Sequence, residues 1–155
     1  MPYRTAQICE NGDLITDSAD VFPDECVDYC PKCGAATYDA CISCGKPIRG
    51  VPDDNPSVDY KIPFYCTYCG EPFPWTQKIL DGAVEILALD TELNPTVRDT
   101  IKDAIPGLIV DSPLTAVSAA KYATYISKAS NIVRNSLYNL LIDLISESAK
   151  KILSG

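Results

Sequence analysis

Apolar residues follow two rhythms along this chain, and the change comes at Trp75. Before it they stand in short runs between turn-forming residues. Residues 3–9 predict a strand, Asn11-Gly12 a hairpin turn, and Leu14-Ile15-Thr16 the returning strand. An acid-rich stretch from Asp17 to Asp28 has little apolar periodicity and predicts a solvated loop. After Trp75 the period is helical. Ile79, Leu80, Ala83, Val84, Ile86 and Leu87 share one face of a helix that Thr76 caps and that ends near Leu89. Asn94-Pro95 predicts the cap and first residue of a second helix, with Val97, Ile101 and Ile105 on its face and a stop at Pro106-Gly107. Asp111 or Ser112 then caps a last helix that starts at Pro113 and runs from Leu114 to Leu153, roughly 60 Å at about 1.5 Å per residue.

That last helix carries more apolar surface than one neighbour can cover. Ile126, Ala129, Val133, Leu137, Leu140, Leu144 and Ile152 lie near one stripe, and Leu141, Ile142 and Ile145 add a second. Its partners are the two preceding helices in a closed three-helix bundle, or those helices on one side and a second copy of the chain on the other. Serine and alanine at 118–120 and 127–130 permit close helix approach in both cases.

The front half has few large apolar residues but many cysteines. Cys30-Pro31-Lys32-Cys33-Gly34, Cys41-Ile42-Ser43-Cys44-Gly45 and Cys66-Thr67-Tyr68-Cys69-Gly70 repeat one unit, two thiols two residues apart followed by glycine. That spacing lets both sulfurs meet one ion, and the glycine accepts the left-handed conformation that turns backbone N–H groups toward them. With Cys9 and Cys26 the total is eight thiols, enough for two four-cysteine zinc sites. Cys41, Cys44, Cys66 and Cys69 form one. Cys9, Cys30 and Cys33 belong to the other, whose fourth ligand is Cys26 or Asp13. Cys26 closes the thiol count and is the softer ligand, whereas Asp13 sits where a hairpin tip projects its second ligand. The count favours Cys26. Sequential pairing is favoured over an interleaved one, because Cys9 and Cys26 together make no knuckle.

The expected fold is therefore a small metal-stabilised β domain of two tandem zinc ribbons, residues 1–75, followed by an all-α region, residues 76–155, with one long terminal helix. Glu71-Pro72-Phe73-Pro74-Trp75 closes the cysteine half. Its prolines hold it extended, so Phe73 and Trp75 can pack back on the second ribbon or form an exposed aromatic patch; packing is favoured, because so small a domain needs every apolar side chain.

Charge narrows the partners. The formal net charge is −8, and the 1–75 half holds five Lys or Arg against twelve Asp or Glu. Two four-thiolate zinc ions would bring the total to about −12. Such a chain repels phosphate backbones and anionic membranes. There is no histidine, which removes Ser-His and Cys-His dyads and mixed Cys/His metal sites. No apolar run serves as a signal peptide or reaches the roughly 18 residues of a membrane span, so a cytoplasmic, reducing location is expected, where thiols favour metal over disulfide.

Several motifs together carry a resemblance. They are Gln7-Ile8-Cys9-x-Asn11-Gly12, the Cys30 and Cys33 knuckle, and Cys41-x-x-Cys44 followed by Pro47-Ile48-Arg49-Gly50. Further on come Pro63-x-Tyr65-Cys66-x-x-Cys69-Gly70-x-Pro72-x-Pro74-Trp75-Thr76. On these the chain resembles a bacterial family of tandem zinc-ribbon proteins to which no activity is assigned. The resemblance implies zinc and a ribbon fold. It also implies a histidine at the position of Asp13, so this chain departs there, with Asp13 as a substituted ligand or Cys26 as its replacement.

A four-thiolate zinc leaves no position for water, so catalysis is not expected. The expectation is a non-catalytic adaptor or regulatory protein, whose ribbons bind a protein partner and whose C-terminal helix self-associates or docks. Small bacterial adaptors of that kind serve beside toxins, stress enzymes or defence effectors. The alternative is nucleic-acid binding, with Lys32, Lys46, Arg49 and Lys61 on phosphates and Tyr68 or Phe73 stacking.

Overall fold

The computed structural model of the chain describes residues 2–154. It divides into two compact units, Met1–Lys78 and Ile79–Gly155.

In the first unit the expected single strand over residues 3–9 is broken at Ala6 into β1 (Tyr3–Thr5) and β2 (Gln7–Cys9). The break serves two sheets. β1 pairs antiparallel with β5 (Arg49–Pro52), while β2 lies between β3 (Leu14–Thr16) and β4 (Thr37–Tyr38). Ala6 itself is buried, and its N–H donates to the Ile48 carbonyl at 2.9 Å. The acid-rich stretch is ordered rather than loose. It forms a 3-10 turn at Pro23–Glu25, and the Gln7 amide fastens its end by donating to the Val27 carbonyl and accepting from the Val27 N–H, both at 3.0 Å.

Phe73 and Trp75 pack inward. Their rings stack 4.7 Å apart at 20°, and the indole N–H donates to the Pro63 carbonyl at 2.9 Å. With Ala6, Ile8, Ile48, Cys41 and Cys66 they make a small apolar core, against which Tyr38, Tyr60, Ile62 and Phe64 lean. These two rings give so small a domain much of the bulk of its core.

The helices differ from expectation at three points. α1 spans Pro74–Ala88 and starts before Thr76, whose hydroxyl donates to the Phe64 carbonyl at 2.6 Å instead of capping. α2 spans Pro95–Ile109 and does not stop at Pro106. Pro106 faces solvent, while Ile105, Leu108 and Ile109 on either side are buried, so core packing holds the helix through the proline. Gly107 makes this possible on the inner side, where a Cβ would collide with the Ser118 side chain. The Asn94 cap is as expected, its side chain accepting from the Thr96 N–H at 2.8 Å.

The single long terminal helix is corrected. The segment forms α3 (Thr115–Ile126), α4 (Asn131–Leu141) and α5 (Glu147–Ser154). Serines make the breaks. The Ser130 side chain caps α4 by accepting from the Val133 N–H, and its own N–H donates to Asp90 at 2.7 Å. Ser146 donates its N–H to the Leu108 carbonyl at 2.8 Å, and its hydroxyl accepts from the Ala149 N–H. Chain reversal also resolves the excess of apolar faces. α2 packs on α3 and α3 on α5, and Val133, Leu137 and Leu141 of α4 are buried together with Ile145 and Ala149.

Gly50 tests the two-sheet arrangement. A Cβ there would lie 2.9 Å from the Arg4 carbonyl oxygen and closer still to that of Asp17, both backbone atoms that cannot swing away. Gly50→Ala should cost at least about 2 kcal/mol, measured by denaturation of the metal-loaded protein with Trp75, the one tryptophan, as fluorescent reporter.

Candidate metal centres

Three turns of the first unit share one backbone geometry. In each knuckle the glycine N–H donates back to the carbonyl of the first cysteine: Gly34 to Cys30 at 2.7 Å, Gly45 to Cys41 at 2.8 Å and Gly70 to Cys66 at 2.9 Å. The glycines have φ of 76°, 77° and 78°, a region that a side chain would strain. Single antiparallel pairs, Tyr29 with Ala36, Ala40 with Pro47 and Tyr65 with Pro72, close the base of each knuckle. The local sequence alone produces this, because spacing and glycine act within six residues.

Cys9 heads a shorter version. The Gly12 N–H donates to the Cys9 carbonyl and the Cys9 N–H to the Asp13 carbonyl, both at 2.9 Å, with Gly12 at φ 90°. Glycine here comes one residue earlier than in the knuckles, and the next side chain, Asp13, takes the place of a second cysteine.

Two groups of donors result. Cys41, Cys44, Cys66 and Cys69 converge as one, and Cys9, Asp13, Cys30 and Cys33 as the other, with the ligand atoms of each group within 4.8 Å of one another. Sulfur pairs stand at 3.7 Å (Cys41 to Cys69, and Cys44 to Cys66) and 3.6 Å (Cys9 to Cys33). A tetrahedron with metal–sulfur bonds of about 2.3 Å has edges near 3.8 Å, so both groups fit a tetrahedral divalent ion. Cys26 joins neither. Its thiol points at the Ala19 carbonyl, 3.9 Å away, because the Gln7 clamp on Val27 fixes the neighbouring backbone. Among the described residues, seven of the eight cysteines are thus gathered, and the eighth donor is a carboxylate.

Electrostatics sets what a cation would supply to such clusters. The Cys9 thiol is pushed up to about 11, first by burial and then by its cysteine neighbours, against the Asp13 and Asn11 backbone N–H groups. In the other group Cys66 falls to about 7: burial opposes this, but N–H groups of Tyr68 and Cys69 and the neighbouring thiols stabilise its thiolate. Cys69 rises to about 12; the Glu71 backbone N–H pulls it down, but burial and the competing thiols outweigh that. Without a counter-charge the first ionisation suppresses the rest.

Asp13 is held ready to ligate. Although burial alone would raise its pKa, it lies below the usual carboxylate range because Lys32, Cys33 and Cys9 bond to it. The Lys32 ammonium sits 3.2 Å from Oδ1, while Oδ2 faces the Cys9 sulfur at 3.5 Å and the Cys30 sulfur at 3.8 Å. Asn11 fixes the turn from both ends of its amide, donating to the Cys33 sulfur at 3.4 Å and accepting from the Lys78 ammonium at 3.1 Å.

Residues 2–153 match the model of a family described as an uncharacterized protein conserved in bacteria (DUF2321). The chain belongs to that family. No curated protein and no solved structure matches it. In this DUF2321 member both cysteine groups lie in the first unit. No helix is long and apolar enough to cross a membrane among the described residues.

Metal content separates the two candidate ligands. Cys26→Ser should leave two ions per chain by elemental analysis, whereas Asp13→Ala should lower occupancy of the first group. Cobalt substitution should give one three-thiolate and one four-thiolate tetrahedral spectrum.

Proposed function

We propose that the protein is a non-catalytic zinc-binding adaptor. Its first unit is a pair of tandem zinc ribbons that presents a rigid surface to a protein partner, and its helical unit self-associates or docks. Zinc is the metal because thiolate-rich tetrahedral sites select it, and four donors per ion leave no vertex for a reacting water. The observation that carries the reading is at the knuckle tips of the four-cysteine group. Ile42 and Tyr68, each between two cysteines of that group, are 66% and 50% exposed, and Tyr29, beside Cys30 of the other group, is exposed as well. Apolar side chains placed outward on a metal-held scaffold are what a docking surface requires. On the helical unit Leu89, Leu114, Val117 and Ile132 are exposed and supply the second face. The acidic balance suits a protein partner with basic groups, and an accessory role in a bacterial defence or toxin-type system accords with so small an adaptor.

Nucleic-acid binding is the second reading, and its contact set shrinks. Lys32 is engaged by Asp13 and Phe73 is buried. What favours it is one aromatic and basic cluster: the Lys46 ammonium lies 4.8 Å from the Tyr68 ring, and the Arg49 guanidinium 4.1 Å from the Tyr3 ring and 5.9 Å from that of Tyr68.

Capture of partners from the native host by the zinc-loaded chain, read by mass spectrometry, tests the proposal. Ile42→Asp should abolish capture while both metals stay bound. Capture unchanged by that substitution, together with a salt-dependent shift of labelled RNA or DNA that Arg49→Ala removes, would favour the second reading.

A further inference from the structure

We propose that the two metal groups are unequal: Cys9, Asp13, Cys30 and Cys33 form an exchangeable zinc site that opens at Asp13, while the four-cysteine group releases its ion far more slowly. This rests on both groups holding zinc.

The donor set is the first ground. Zinc prefers thiolate to carboxylate in a structural site, and one group has four thiolates where the other has three. Asp13 offers a single oxygen, because Lys32 occupies Oδ1 and only Oδ2 faces the Cys9 and Cys30 sulfurs. On leaving the metal, the carboxylate therefore keeps an ion pair and is not stranded as an uncompensated charge. Lys32 is exposed and Asp13 only half-buried, so an incoming donor reaches the vertex from solvent.

Packing is the second ground, and it is independent of the first. Cys41 and Cys66 belong to the apolar core with Phe73 and Trp75, so removing their metal disrupts the interior of the unit. Cys9 and Cys30 are buried but lie outside that core. Losing their ion would release the Cys9–Asp13 turn and the Cys30 knuckle, whereas the β1 and β5 pairing contains none of the group's ligands.

Exchange proceeds by ligand substitution. The zinc–oxygen bond to Asp13 breaks with its electron pair remaining on the carboxylate, and a lone pair of an incoming chelating donor takes the freed vertex. The three thiolates then yield the ion in turn and take protons from water. No electron is transferred.

The test follows metal release from the reduced, fully loaded full-length chain into excess EDTA, by native mass spectrometry with zinc and by absorption with cobalt. A one-metal intermediate should accumulate, and the first ion lost should be the one with the three-thiolate spectrum. Asp13→Cys should slow that first phase roughly tenfold or more, and Asp13→Asn should speed it, with the second phase unmoved in both. Release of both ions in one phase, earlier loss of the four-thiolate spectrum, or a first phase indifferent to both substitutions would overturn the proposal. A reduced chain that binds no zinc in the four-cysteine group would instead overturn the zinc reading beneath it.

Discussion

The first unit depends on one electrostatic constraint. Sulfurs 3.6 to 3.7 Å apart cannot all ionise unless a cation stands between them. The split between Cys66, near 7, and Cys69, near 12, expresses that conflict inside a single group. The backbone has already been set for the charged state: knuckle glycines are held at positive φ and N–H groups approach the sulfurs, as Asp13 N–H does to Cys9 at 3.3 Å and Tyr68 N–H to Cys66 at 3.4 Å. A divalent ion held by these donors would stabilise the turns that gather them, so that its binding energy would become folding energy.

Metal is not a full replacement for a core. The stacked Phe73 and Trp75, together with Ala6, Ile8 and Ile48, form an apolar cluster into which two of the ligands are built. Gly12 couples the other group to it, since a Cβ at that position would stand 3.2 Å from the Trp75 Cβ. A turn that positions Asp13 thus also needs a residue without a side chain where it meets the tryptophan. Two demands fall on one glycine.

What was legible in the sequence was what is local. Cys-x-x-Cys-Gly dictates its own turn within six residues, so the three knuckles and the four-cysteine group could be read directly, as could the Asn94-Pro95 start of α2. The choice between Cys26 and Asp13 was not local. It turns on the Gln7 amide reaching Val27, twenty residues away, which no spacing rule encodes, and counting thiols pointed the other way. The long helix failed for a related reason. Ser130 fell in a stretch expected to let helices approach, and Ser146 carried no expectation, but each caps a helix and donates its N–H to a distant group, the Asp90 carboxylate or the Leu108 carbonyl. Pro106 failed in the opposite sense, because buried neighbours outweigh one missing hydrogen bond.

The identity of the fourth ligand also changes the charge of the loaded protein. Asp13 is already counted in the formal −8, so three thiolates and a divalent ion at its site add −1, and the four-thiolate group adds −2, giving about −11 rather than about −12, with Cys26 left as a neutral thiol. Metal loading therefore makes an acidic chain more acidic, on the same unit that carries the exposed Ile42 and Tyr68. On the adaptor reading proposed above, long-range attraction would favour a partner with basic groups, and the two knuckle tips would supply apolar contact at short range. A phosphate backbone would be repelled at distance, and two of the cations it would meet at contact, Lys46 and Arg49, already lie against aromatic rings.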